Sequence, residues 1–167
     1  MSLPPADLIT PRLRMVALTP EEAGGILSDG LPTEGRLGDL EAGRGWPHEG
    51  TTNALGMHAT HGVAGLFCPW LVVEGATVVG DIGCHGGPNE EGSVEIGYGF
   101  AAPYWGRGLA TEAVSALVSM LRQQPEVGTV MATTERGNEP SQRLLERIGF
   151  VLVGEEGENL LVYTDGG

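Results

Sequence analysis

Residues 94–113 read VEIGYGFAAPYWGRGLATEA, a strand that feeds through a glycine-bearing turn directly into a helix. Along the strand Val94, Ile96, Tyr98 and Phe100 alternate with Glu95, Gly97 and Gly99. One face therefore carries bulk, and the other carries a single carboxylate beside two missing side chains, an arrangement open enough to admit a ligand. Gly106-Arg107-Gly108-Leu109-Ala110 then opens an amphipathic helix. Consecutive backbone N–H groups are exposed there at the positive end of a helix dipole, which suits phosphate.

Two nucleotide motifs compete for this turn, and the residues exclude both. A P-loop needs a lysine after its second glycine, but all nine basic residues of the chain are arginine. A dinucleotide fingerprint needs a third glycine where Thr111 stands, and an acidic residue about 20 positions on after an early strand-turn-helix unit, which is missing.

The segment resembles motif A of the GCN5-related N-acetyltransferases, a strand followed by [RQ]-x-x-G-x-[GA] at a helix start, onto which Trp105, Gly106, Arg107, Gly108, Leu109 and Ala110 fall. Asn138-Glu139-Pro140-Ser141-Gln142-Arg143-Leu144-Leu145-Glu146-Arg147-Ile148-Gly149-Phe150 is similar to a second motif of that family, N-x-x-S-x-x-L-x-E-x-x-G-F. Thr10-Pro11-Arg12-Leu13-Arg14, running into Leu18-Thr19-Pro20-Glu21-Glu22, resembles the opening of the branch that acetylates ribosomal-protein N-termini. Three positions depart from the pattern. Trp105 stands where many members have Arg or Gln. Pro103 sits one residue nearer the turn than usual, with Ala102 in its place. Leu145 occupies the position of the tyrosine that protonates the departing thiolate in many relatives.

Length and composition agree with one domain over residues 1–167, enough chain to bury roughly two-thirds of its unfolded surface. The net charge of −13 argues against a nucleic-acid partner and would draw in a basic acceptor, although acidity also serves plain solubility. No stretch approaches the ~18 apolar residues of a membrane span, and the first residues lack a charged-then-apolar leader, so a cytoplasmic protein is expected. In that compartment Cys68 and Cys84 are expected as free core thiols.

Strands are expected at 11–18, 67–74, 77–84, 94–100, 128–135, 151–154 and 159–163. Helices are expected at 20–28, opened by a Thr19/Glu22 capping box, from the glycine turn to Pro125, and at 139–148. The second of these repeats Ala110, Ala113, Val114, Leu117 and Leu121 on one face. Asp29 to Gly65 is glycine-rich and poorly periodic, with one or two short helices expected around Leu37, Leu40 and Leu55. The alternation of elements gives a mixed α/β fold. The resemblance implies a mostly antiparallel sheet of about six to seven strands, splayed at the central strand and flanked by about four helices.

The resemblance further implies transfer of the acetyl group of acetyl-CoA to a primary amine, with a protein N-terminus as first choice of acceptor. A small amine such as a polyamine, amino acid or aminoglycoside is the alternative, and a non-catalytic acyl-CoA-binding module the third reading. It implies no metal, and leaves monomer and homodimer open. The cofactor-binding residues expected are Phe100, Ala102, Trp105, Gly106, Arg107, Gly108, Leu109, Ala110, Thr111, Asn138 and Ser141, with the pyrophosphate on the N–H groups of 106–111 and the pantetheine arm in the splay. An N–H of the strand near Tyr98 to Phe100 would face the oxyanion. Glu95 is expected to accept the amine proton, directly or through water, with His85 and His58 as runners-up. Ser141 is expected to hold the pantetheine or sulfur and to help protonate the thiolate. Each has a plainer reading: Glu95 as a solvated strand residue, Ser141 as a first-turn polar residue, and His58 and His61, three apart, as pocket polarity rather than a metal clip.

Overall fold

The computed structural model describes residues 3–63 and 65–166. Strands β1 (Leu8–Ile9) and β2 (Arg14–Ala17) lead into helix α1 (Pro20–Asp29), followed by β3 (Glu41–Ala42) and α2 (Glu49–His61). Then come β4 (Trp70–Glu74), β5 (Thr77–Cys84), β6 (Ser93–Phe100), α3 (Leu109–Arg122), β7 (Thr129–Glu135), α4 (Glu139–Arg147), β8 (Val151–Glu156) and β9 (Leu160–Thr164). The strands form one sheet of nine in the order β1-β2-β4-β5-β6-β7-β9-β8, with β3 alongside β5. The strand count exceeds the expected six to seven because β1 and β3 are two residues each, too short to leave an alternating pattern. Among the described residues no helix is long and apolar enough to cross a membrane.

Local chemistry starts the helices. Thr19 caps α1 by accepting from the Glu22 N–H at 3.1 Å, while the Glu22 carboxylate accepts from the Thr19 N–H at 2.9 Å. The chain from Asp29 to Gly65 is more ordered than its glycines suggest. It holds a 3₁₀ turn at Gly35–Leu37 and the full thirteen residues of α2, because Leu37, Leu40, Trp46 and Leu55 are all buried against α1 and the sheet.

The sheet separates two apolar layers. Met15, Trp70, Val72 and Ile96 face α3 and α4, with Leu117, Leu121 and Leu145 across from them. Their neighbours Val16, Leu71 and Val73 face α1 and α2. Val94, Ile96, Tyr98 and Phe100 fall on the α3/α4 side, which leaves Glu95, Gly97 and Gly99 on the α1/α2 side. Cys68 and Cys84 are free and buried, and burial pushes their thiols up to about 11 and about 12, out of the range of a useful nucleophile.

The register sets the position of the site. β6 and β7 are parallel, joined over α3, and pair only from Ser93↔Thr129 to Ile96↔Ala132. Beyond that point β6 stays with β5 as far as Gly80↔Phe100, and β7 stays with β9 as far as Glu135↔Leu160. The two central strands part company, and a wedge opens between Gly97–Phe100 and Thr133–Glu135.

Candidate active site

The wedge is the inner end of a cavity of about 1550 Å³ that runs past the start of α3 and along α4 on one side, and under α2 on the other. At its outer end Gly106 and Gly108 take φ of 75° and 76°, where a residue with a Cβ is strained. Gly108 is the N-cap of α3 and supplies no capping side chain, so the first-turn N–H groups of Leu109, Ala110 and Thr111 are unclaimed by any cap. A Cβ on Gly106 would meet nothing within 4 Å, so the turn faces open space. Phe100, Ala102, Trp105, Gly106, Gly108, Leu109, Ala110, Thr111, Asn138 and Ser141 all line the cavity. Trp105 is 67% exposed, and its indole N–H donates to the Phe100 carbonyl at 2.6 Å, tying the turn to the end of β6.

Arg107 differs from expectation. Its guanidinium grips the Glu74 carboxylate at 3.0 and 2.6 Å, so its head points away and it is not among the lining residues. The turn is braced from outside by Arg12, whose Nη1 donates to the Arg107 carbonyl at 2.7 Å and whose Nε donates to Glu112 at 2.8 Å. Glu112 also accepts from Thr10 Oγ1 at 2.5 Å and from the Arg12 N–H at 2.9 Å. Some burial works against the charged carboxylate, but these donors prevail and hold it below the usual range. The arginines that do line the cavity are Arg143 and Arg147 of α4, and Arg147 donates to Thr111 Oγ1 at 3.1 Å. Their spacing on one helix face is visible in the sequence, but their convergence on the α3 turn is a tertiary fact.

Asn138 caps α4, its Oδ1 accepting the Ser141 N–H at 3.3 Å. The Ser141 hydroxyl lies 2.7 Å from that of Tyr98, which reaches across from β6. Burial pushes the Tyr98 phenol above its ordinary value, partly offset by Ser141. One turn along α4 the Leu145 side chain is fully buried in the core.

On the opposite face of β6, Glu95 accepts from Thr133 Oγ1 at 2.9 Å and lies 3.4 Å from His85 Nδ1. The vacancies at Gly97 and Gly99 are not open, contrary to the sequence reading. A Cβ on Gly97 would stand 2.5 Å from His85 Nε2, and one on Gly99 would run into the His48 ring. Two imidazoles occupy the hollows that the glycines leave. His48, which the sequence reading missed, caps α2 with Nδ1 accepting the Thr51 N–H at 3.3 Å. Its Nε2 is buried with no hydrogen-bond partner among the described residues, 3.6 Å from Asp81. Burial pushes the Asp81 carboxyl up, against hydrogen bonds from Thr51 Oγ1 at 2.5 Å and the Trp46 indole at 2.9 Å. Histidine is an uncommon cap, and the only hint in the sequence is its place three residues before Thr51.

His58 is excluded as a base. Its Nδ1 accepts the Val63 N–H at 3.1 Å, which puts the proton on Nε2, and that donates to the Leu18 carbonyl at 2.8 Å. With both nitrogens engaged and the side chain buried, it cannot share a ligand with His61 either.

Comparison with known proteins adds independent findings. The sequence profile of the acetyltransferase (GNAT) domain matches residues 12–151. The uncharacterized N-acetyltransferase YjdG of Bacillus subtilis is 32% identical over 88 residues, 52% of each chain. The uncharacterized N-acetyltransferase p20 of Bacillus licheniformis is 34% identical over 80 residues, 48% of this chain and 45% of that one. This chain thus spans about half the length of the curated relatives it matches. Among solved structures, RimL, a ribosomal L7/L12 alpha-N-protein acetyltransferase in complex with coenzyme A, superposes with a TM-score of 0.67 at 16% identity, over 96% of this chain and 98% of that one. The ribosomal-protein-S5-alanine acetyltransferase of Vibrio fischeri gives 0.65 at 16% identity, over 96% of both chains. At such identities the likeness concerns the fold.

Proposed function

The chain belongs to the acetyltransferase (GNAT) family, and from that premise we propose that it is an N-acetyltransferase, using acetyl-CoA to acetylate a primary amine by direct transfer. The observation that carries the reading is the wedge between β6 and β7. It connects an uncapped helix start at one end with a carboxylate on one face of β6 and a hydroxyl pair on the other.

The residues present fit coenzyme A. The α3 turn offers free N–H groups beside open space, Arg147 adds positive charge along the same wall next to the Arg143–Glu139 ion pair, and Gly97–Phe100 and Thr133–Glu135 present strand edges not paired to each other. Residues 106–111 would hold the pyrophosphate, and the strand edges with Asn138 and Ser141 the pantetheine arm. Bound acetyl-CoA supplies an activated acyl group; orientation and the handling of protons fall to the protein.

An amine is mostly protonated at neutral pH, so a group near the wedge must take its proton. Glu95 stands on the α2 side, held by Thr133 and facing His85, and serves as the base directly or through water. Backbone N–H groups of β6 between Gly97 and Phe100 face the developing oxyanion. The acceptor enters under α2, whose Asn53, Ala54, Met57 and His61 line that wall.

For the acceptor we propose a protein N-terminus. This is supported by the fold shared with a ribosomal L7/L12 alpha-N-protein acetyltransferase and a ribosomal-protein-S5-alanine acetyltransferase, and by a cavity of about 1550 Å³ that continues under α2. The net charge of −13 favours basic acceptors in general, and so supports a small polyamine as the second reading. The test is release of free thiol from acetyl-CoA over a panel of N-terminal peptides and small amines. Turnover with peptides alone supports the first reading and turnover with polyamines alone the second. Binding of CoA without turnover on any amine would leave an acyl-CoA-binding module.

A further inference from the structure

The resemblance already places Ser141 at the pantetheine arm and the departing thiolate, but Tyr98, whose hydroxyl lies 2.7 Å from that of Ser141, has so far been given no role. Tyr98 stands one position out of phase with Glu95, Gly97 and Gly99, so its side chain leaves β6 on the α4 side while the carboxylate leaves on the α2 side. A nucleophile entering from the α2 side expels its leaving group toward the α4 side. The hydroxyls waiting there are those of Ser141 and Tyr98, 2.7 Å apart and both on the cavity wall. Asn138 Oδ1 is committed to its cap and can only accept, and the Leu145 side chain, one turn further along α4, has no polar atom.

We propose that Tyr98 and Ser141 form a two-hydroxyl donor chain that receives the departing thiolate, Ser141 touching the sulfur and Tyr98 acting through Ser141. The inference rests on reading the chain as an acetyl-CoA-dependent transferase. A phenol is a much stronger donor than an aliphatic alcohol, so Tyr98 O–H donates to Ser141 Oγ and leaves the Ser141 proton free to point into the wedge. Burial keeps the Tyr98 phenol protonated well above neutral pH, so the donor is always loaded. As the C–S bond breaks, the electron pair stays on sulfur. Ser141 then donates a hydrogen bond to it, strengthened by the donation Ser141 itself accepts from Tyr98. Neither hydroxyl gives up its proton, because both are weaker acids than a thiol; the sulfur is protonated later by water. Tyr98 is thus a positioning residue and Ser141 the group that meets the reacting atoms.

The test uses CoA itself and needs no acceptor. The thiol of CoA bound to the full-length protein is titrated through the ultraviolet absorbance of its thiolate, in the wild type, Tyr98→Phe, Ser141→Ala and the double variant. Phenylalanine keeps the ring that packs on the core, so the fold is preserved. A donor chain stabilises the thiolate, so the bound thiol should titrate about one pH unit higher in Tyr98→Phe than in the wild type, a tenfold loss of thiolate at a given pH. CoA affinity below that range should be unchanged. Ser141→Ala should shift at least as far, and the double variant no further than Ser141→Ala, because a chain cut at its last link cannot be cut again. The dipole of α4 acts equally in all four proteins and cannot produce this pattern. A Tyr98→Phe titration matching the wild type, or additive shifts in the double variant, would overturn the proposal. Failure of CoA to bind the wild type would overturn the transferase reading, and the donor chain with it.

Discussion

The imidazole of His85 rests on Gly97, its Nε2 2.5 Å from where a Cβ at that position would stand, while its Nδ1 lies 3.4 Å from the Glu95 carboxylate. The glycine is therefore a seat for the ring rather than a hole for a ligand, and it holds an exposed histidine beside the proposed base. Gly99 seats His48 in the same way, but His48 is penned by Thr51 and Asp81. The two glycines should respond differently to the same substitution. In Gly97→Ala the His85 ring, 58% exposed, swings out into water. Stability should stay within about 0.5 kcal/mol of wild type, while acetyl transfer falls about 10²-fold through misplacement of groups around Glu95. In Gly99→Ala the His48 ring has nowhere to go, and the fold should lose about 1–3 kcal/mol. Thermal melts and thiol-release rates on both variants check this, and equal melting temperatures for the two would refute it.

Gly108→Val should abolish CoA binding and lower the stability of the free protein only by the roughly 1–3 kcal/mol that a non-glycine residue costs in the left-handed region. The position has φ 76° and caps α3, so a β-branched residue strains the turn and tips the N–H groups of 109–111 away from the cavity. Calorimetric titration with CoA reads the loss directly, and wild-type affinity in the variant would remove this turn from the site. The same titration on Arg107→Ala should give near-wild-type affinity, because that guanidinium is spent on Glu74.

Glu95→Gln keeps the hydrogen bond from Thr133 Oγ1 but removes the basic site. Its turnover at pH 7 should fall by roughly 10²–10⁴ with CoA affinity intact. Raising the pH should recover part of the loss as the free amine accumulates in solution, and a pH–rate profile of unchanged shape would reduce Glu95 to a positioning role.

Glu112 should make stability acid-sensitive. Donors from Thr10 and Arg12 hold its carboxyl below the usual range in the folded protein, against the opposing pull of burial. Its contribution is complete above the ordinary carboxylate range and fades as the pH falls through the lowered folded-state value. Denaturant unfolding of Glu112→Gln should show a deficit of about 1–2 kcal/mol at pH 7 that closes toward the acid end of that window. A deficit that stays constant with pH would mean that the charge contributes nothing.

The sheet and α3 are legible in the sequence because each carries its own signal: alternation in 94–100, two apolar runs either side of the Gly75-Ala76 turn in 67–74 and 77–84, and three- and four-residue spacing from Ala113 to Leu121. His48 is not, since nothing periodic marks it, and its setting against Gly99 and Asp81 depends on α2 coming over β5 and β6. The wedge itself is legible only as a resemblance: the residues at which β6 and β7 cease to pair are ordinary strand residues, and the parting lies in which neighbour each strand keeps. The side chains of Arg107 and His58 show the limit of reading by motif. A position within a signature says where the backbone goes, whereas Glu74, Leu18 and Val63 decide what the side chain holds.

The division of the interior by the sheet has an evolutionary consequence. The turn, α3 and α4 draw their support from one apolar layer, and α2 with its approach to the wedge from the other. Substitutions in layers that share few partners, Tyr104 being one, add nearly independently. A lineage can therefore rebuild the α1–α2 layer to suit a new amine while the machinery for the common acyl donor stays at full stability, so the choice of acceptor drifts freely and the choice of donor does not.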